Sequence, residues 1–168
     1  MVFLRFVHLF TFIFWYGTLL YFTFIQAPIL FKALPRQLFG EVQSHLFPAY
    51  YLISYICGAL LVVTYHLLHP LKDYVPQDCV KITALCLMLL FSLAQGLWIG
   101  PKVAALRVER QAAEQSLRPG SGQTADQAQA EALSKEFRKA HGLSSLLNLV
   151  VIIAGTVYFV YLAKEAAF

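Results

Sequence analysis

The sequence predicts an all-α membrane protein in which four transmembrane helices form an antiparallel bundle. Four stretches contain no Asp, Glu, Lys or Arg: Phe6–Phe31, Leu46–His69, Ile82–Pro101 and Gly142–Ala163. Each is about 20 residues or longer, enough for a helix to cross roughly 30 Å of hydrocarbon. Hydrophobic residues make up 59% of the 168 and charged residues only 13%, about half the charged share of a soluble domain. The spans use most of the chain. One domain, residues 1–168, is therefore expected, without room for a separate catalytic domain.

The first span, about 6–31, is strongly aromatic: Phe6, Phe10, Phe12, Phe14, Trp15, Tyr16, Tyr21, Phe22, Phe24 and Phe31. Aromatic rings suit membrane interfaces and large flat contacts. The run is too long for a signal peptide and has no small-x-small cleavage site, so it reads as a retained helix. Gly17 is a place for close approach of a neighbour, and Pro28 a place for a kink or an end.

In the first loop Leu34, Leu38, Val42 and Leu46 recur every four residues, and Pro35 suits a first helical turn. This predicts a short amphipathic interfacial helix over about 35–46. Pro48 then opens the second span, about 46–69. The third span, about 82–101, ends with Gly96 and Gly100 in small-xxx-small spacing, a mark of close helix crossing. A hydrophilic helical hairpin follows over about 102–140, with Pro119-Gly120-Ser121-Gly122 breaking it at the tip. The fourth span is about 142–163.

Four spans put both termini on one face, side A, with Arg5, Lys72, Lys81 and Lys164. Side B carries Lys32, Arg36, Lys102, Arg107, Arg110, Arg118, Lys135, Arg138 and Lys139. Cytoplasmic loops are enriched in Lys and Arg, so side B is expected to be cytoplasmic and the termini lumenal or exoplasmic. This bias accounts for the net charge of +4, and no nucleic-acid partner is expected. The cysteines Cys57, Cys79 and Cys86 have neither metal-ligand nor paired-disulfide spacing.

Polar groups inside a membrane call for a functional hypothesis. Sorted by depth, Gln26, Gln95, His141, Ser144, Ser145 and Asn148 lie near side B. The last four are spaced i, i+3, i+4, i+7 and so share one helical face. Arg36, Gln43 and Lys102 reach the same level. Two readings stand: a ligand-binding vestibule open to side B, or interhelical hydrogen bonds that fix the packing. Near side A lie His8, His66 and His69, three histidines at one depth that could hold a metal or haem. P-loop, GxSxG, HExxH and dinucleotide signatures are absent. No Asp or Glu lies within a charge-free span, which argues against a carboxylate proton relay there. An enzyme is not expected.

Several segments resemble the transmembrane protein 205-like family. They are Leu34-Pro35-Arg36 through Phe39-Gly40, Val42-Gln43-Ser44 with Leu46-Phe47-Pro48, and Phe137-Arg138 with His141-Gly142-Leu143-Ser144-Ser145-Leu146 and Asn148-Leu149. Pro101-Lys102 and Val7-His8-Leu9 also match. The chain departs at Gln95-Gly96, where the family pattern has an Asn. The resemblance implies a four-helix protein of eukaryotic endomembranes or the plasma membrane, in a family linked to platinum-drug resistance and vesicular or exosomal export. The leading expectation is a non-enzymatic membrane protein that binds or helps to move a small solute or metal complex, or acts in vesicular export, with no cofactor. The alternatives are a small accessory subunit that binds protein partners or its own copies, and a haem- or metal-binding bundle. The lipid bilayer is a partner in every case.

Overall fold

The computed structural model describes residues 1–70, 75–116 and 124–166. Among them the chain forms four long helices and no strand. They are α1 (Val2–Ala33), α2 (Arg36–Leu68), α3 (Pro76–Ser116) and α4 (Thr124–Ala166). All four are long and apolar enough to cross a membrane. In hydrocarbon only a helix or a closed barrel satisfies every backbone polar group, which is why these apolar runs are helical despite their β-branched and aromatic content.

Only Leu34 and Pro35 separate α1 from α2. Leu34 is extended, with φ −119° and ψ 146°, as expected before a proline. The amphipathic segment at about 35–46 is not a separate element. It runs straight into the second span, and Pro48 lies inside α2. A lone proline removes one backbone hydrogen bond, but no glycine or second breaker accompanies it to end the helix. The two other span prolines leave a different mark. Pro28 follows a π-helical turn at Tyr21–Gln26, and Pro101 follows another at Gln95–Ile99. The proline ring crowds the carbonyl four residues earlier, here Phe24 and Leu97, and a widened turn relieves that crowding while the helix continues. Pro28 therefore neither ends nor interrupts α1.

Helices adjacent in sequence pack along their length, and α1 closes against α4 over a shorter stretch. The buried core takes Phe12, Trp15 and Leu19 from α1, Leu61 and Tyr65 from α2, Leu85 and Met88 from α3, and Val151 and Tyr158 from α4. Outward-facing Phe6, Phe10, Ile13, Ile56, Leu67, Leu90, Leu149 and Ile153 remain exposed, as a lipid-facing surface requires. Beyond the span, α3 and α4 continue side by side, with Leu106 and Ala130 buried and the Arg110 guanidinium 4.5 Å from the Phe137 ring. The hairpin tip expected near Gly120 lies outside the described residues.

Small residues set two of the close approaches. A Cβ at Gly96 would collide with the Tyr55 hydroxyl and the Tyr51 ring, and one at Gly155 with the Tyr16 ring. At Gly17 it would meet nothing within 4 Å, so that glycine admits no neighbour. Gly96→Leu is expected to destabilise the detergent-solubilised protein by about 1–3 kcal/mol through overpacking, and Gly17→Ala to leave thermal unfolding unchanged. Equal melting of the two variants would refute this packing.

Candidate functional site

The buried polar side chains collect mainly in two layers, one near each end of the bundle, with Ser54 and Ser92 outside them. Near side B three hydrogen bonds tie different helix pairs. Gln26 Nε2 donates to Gln43 Oε1 at 3.3 Å, joining α1 to α2. The Ser144 hydroxyl donates to Gln95 Oε1 at 3.5 Å, joining α4 to α3. Asn148 Nδ2 donates to Thr23 Oγ1 at 3.0 Å, joining α4 to α1. Gln43 and Gln95 are buried, and Gln26 Oε1 is a buried acceptor with no hydrogen-bond partner among the described residues. Three of these groups, Thr23, Gln26 and Gln95, belong to the two π-helical turns. Such turns offer poorer backbone hydrogen bonding and recur at functional sites.

The other residues singled out at this face are not drawn into the layer. Arg36 and Lys102 are exposed. The exposed His141 stacks on Phe137, ring centroids 5.7 Å apart. Ser145 donates to the carbonyl of His141 in its own helix at 2.9 Å. Helical spacing placed Ser145 and His141 on a face shared with Ser144 and Asn148, but that face is wide and only its inner edge touches α1 and α3. Thr23 carries no signal in an apolar sequence.

Side A is built from charge. Asp78 and Lys81, at the start of α3, are buried and 2.8 Å apart. Lys81 also reaches the half-exposed carboxylate of Glu165 at the end of α4. The Tyr65 hydroxyl of α2 donates to Asp78 Oδ1 at 2.7 Å, and the other carboxylate oxygen accepts the Val75 N–H at 3.1 Å. That last bond caps α3 and favours a negative charge at its N-terminus. One cation thus sits between two carboxylates, each from a different helix. These groups lie just outside the charge-free stretches, where a search of the spans alone overlooks them. The available signal is Asp78 and Lys81 at i, i+3 opposite an acid at the other helix end on the same face.

Next to this cluster His8 joins α1 to both α2 and α4. Its Nδ1 lies 2.6 Å from Thr64 Oγ1, and its Nε2 is bonded to the Tyr158 hydroxyl. Thr64 spends its proton on the carbonyls of Leu60 and Leu61, at 2.7 and 3.2 Å. The chain runs from Tyr158 through His8 to Thr64, its direction set by which ring nitrogen of His8 carries the proton.

The three histidines at side A do not converge. His8 is engaged as described. His69 has left helical geometry, with φ −126° and ψ 87°, and its ring stacks on Tyr65 at 4.7 Å and faces Asp78 at 3.6 Å. His66 stays on the exposed outer face of α2. Among the described residues no group of three or more His, Cys, Asp or Glu side chains is arranged to hold a metal ion.

Lys81→Met would leave two carboxylates facing each other beside an apolar core. Removing one partner of a buried pair costs about 3–5 kcal/mol. A large fall in the midpoint of thermal unfolding is expected, against no change for Lys102→Met at the exposed position. Similar melting of both variants would show that the side A cluster does not hold the helices.

Comparison with known proteins fits this architecture. The family described as "Domain of unknown function (DUF4149)" matches residues 10–112. Transmembrane protein 205 of Danio rerio is 24% identical over 173 residues, which cover 96% of this chain and 92% of that protein. No solved structure matches. The family match contains Thr23, Gln26, Gln43, Asp78, Lys81 and Gln95 from the two polar layers, while His8 and the α4 residues lie outside it.

Proposed function

The chain belongs to the DUF4149 family of transmembrane protein 205-like membrane proteins, and on that premise we propose that it is a non-enzymatic carrier. It binds a small polar solute or metal complex in the side B layer and helps to move it across the membrane or into vesicular export. The unpartnered Gln26 Oε1 carries this reading. A buried amide oxygen without a donor costs about 1–3 kcal/mol, and a solute bearing N–H or O–H groups would recover that loss. The bonds around it, at 3.0–3.5 Å between uncharged amides and hydroxyls, are weak enough to exchange for bonds to a ligand. Interhelical bonds of this type are worth about 0.6 kcal/mol each. Side A, with its buried ion pair, is the fixed end against which side B can adjust.

The residues of the proposed site are Gln26, Gln43, Gln95, Ser144 and Asn148, with Thr23 added. Arg36, Lys102, His141 and Ser145 form its outer rim towards the cytoplasm, the compartment that the bias of basic residues gives to side B. The membrane is of the endomembrane system or the cell surface.

A second reading is supported by the length of α3 and α4. At 1.5 Å per residue their 41 and 43 residues extend roughly 60 Å, about twice the hydrocarbon thickness. The protruding pair is suited to binding a protein partner as an accessory subunit.

Asn148→Leu and Gln95→Leu are expected to reduce export of a platinum ammine complex at least about tenfold while the protein stays inserted and expressed. Deletion of residues 105–135 is expected to spare that export under the carrier reading and to abolish it under the subunit reading. Full export by both point variants would sink the carrier reading.

A further inference from the structure

The start of α2 and the outgoing half of α3 meet at side B through Gly40. A Cβ there would stand 3.0 Å from Arg107 Cδ and 3.2 Å from its Nη1. The bare glycine thus lets the Arg107 side chain lie directly on α2. Arg36 precedes Gly40 by one helical turn and shares its face of α2. Two guanidinium groups are therefore brought to one strip of surface.

Among the described residues nothing acidic answers them. The ion pairs there take up His69, Lys81 and Arg110 and leave Arg36 and Arg107 without a carboxylate. Glu41 and Glu109, the acids nearest in sequence, are exposed and pair with neither. Arg36 is exposed and open to a ligand, whereas Arg107 is half-buried and its Nε is a shielded donor with no acceptor among the described residues. A guanidinium does not shed its charge. Its partial removal from water without a counter-charge is unfavourable, and an anion at the accessible part of the group offsets that cost.

The surroundings are those of a membrane interface. Phe31 of α1 and Leu38 of α2 are exposed, and the Phe31 ring packs on Phe39, beside Gly40, with centroids 5.5 Å apart. Trp98 stands exposed one turn before Lys102, and tryptophan marks the boundary between hydrocarbon and headgroups. An anion at Gly40 therefore has apolar side chains next to it, on the side where lipid tails lie. We propose that Arg36 and Arg107 bind the phosphate of an anionic phospholipid, with its acyl chains along Phe31 and Leu38. The contacts are charge-assisted hydrogen bonds from two planar guanidinium groups. With no acid at hand to receive an ammonium, the site prefers a lipid of net negative charge to a zwitterionic one. It lies on the outer surface of the bundle and does not depend on the solute site in the polar layer.

Native mass spectrometry of the full chain, purified in maltoside with equal dioleoyl-phosphatidylglycerol and dioleoyl-phosphatidylcholine, tests it, because the two lipids share their tails. The phosphatidylglycerol adduct is expected to dominate. Arg36→Gln and Arg107→Gln should each weaken that adduct about tenfold, the scale of one charge-assisted contact. Lys135→Gln removes the same charge from an exposed position on the protruding part of α4 and should leave the adduct unchanged. Arg36 is exposed, so its substitution leaves the fold intact, and thermal unfolding monitors Arg107→Gln. Equal retention of both lipids, an undiminished phosphatidylglycerol adduct in the folded arginine variants, or an equal loss in Lys135→Gln would overturn the proposal. Soluble glycerol phosphate bound as tightly as the lipid would overturn the assignment to a lipid.

Discussion

Hydrocarbon offers no hydrogen bonds, and the rest of this structure follows from that. Among the described residues the backbone is almost wholly helical, and most buried side-chain polar groups find a partner on another helix. Apolar packing alone gives little direction in lipid, because the tails are as apolar as leucine. Register and orientation therefore fall to a few polar contacts. The Asp78–Lys81–Glu165 cluster joins α3 to α4, Tyr65 adds α2, and His8 with Thr64 and Tyr158 adds α1. All four helices are joined at side A by charge and by one hydrogen-bond chain.

Side B is joined by gentler means. Among the described residues, the three interhelical bonds named above involve only amides and hydroxyls, and the Gln26 amide oxygen has no partner. Pro28 and Pro101 lie two residues beyond the π-helical turns that carry Thr23, Gln26 and Gln95. Three of the layer's polar side chains thus sit on the widened turns that precede the two prolines. The bundle is thus clamped by charge at side A and held by uncharged bonds at side B.

The four-helix membrane architecture was legible because the absence of charge over about 20 residues is a strong physical signal. Depth sorting also found Gln26, Gln43, Gln95, Ser144 and Asn148, because in a bundle of known direction the position along a helix fixes the level in the membrane. Rotation about the helix axis was not legible. His141 and Ser145 share a helical face with Asn148 yet stay outside the layer, and Thr23 enters it unannounced. The side A cluster was missed for a different reason. Asp78, Lys81 and Glu165 flank the spans and look like ordinary solvated ends until folding brings them together. The π-helical turns had a signal in the prolines that follow them, but Pro48 shows that proline alone does not make one. The 35–46 segment reads as a separate helix in the sequence because its four-residue repeat differs in character from the span that it joins.

Hydrogen–deuterium exchange of the protein in lipid nanodiscs tests the division into a fixed and an adjustable end most directly. The backbone amides of Tyr21–Gln26 and Gln95–Ile99 should exchange well before those around His8, Thr64 and Lys81, because wider turns with weaker bonds open at lower cost to water entering from side B. Uniform protection along α1 and α3, or earlier exchange at the His8 end, would contradict the account.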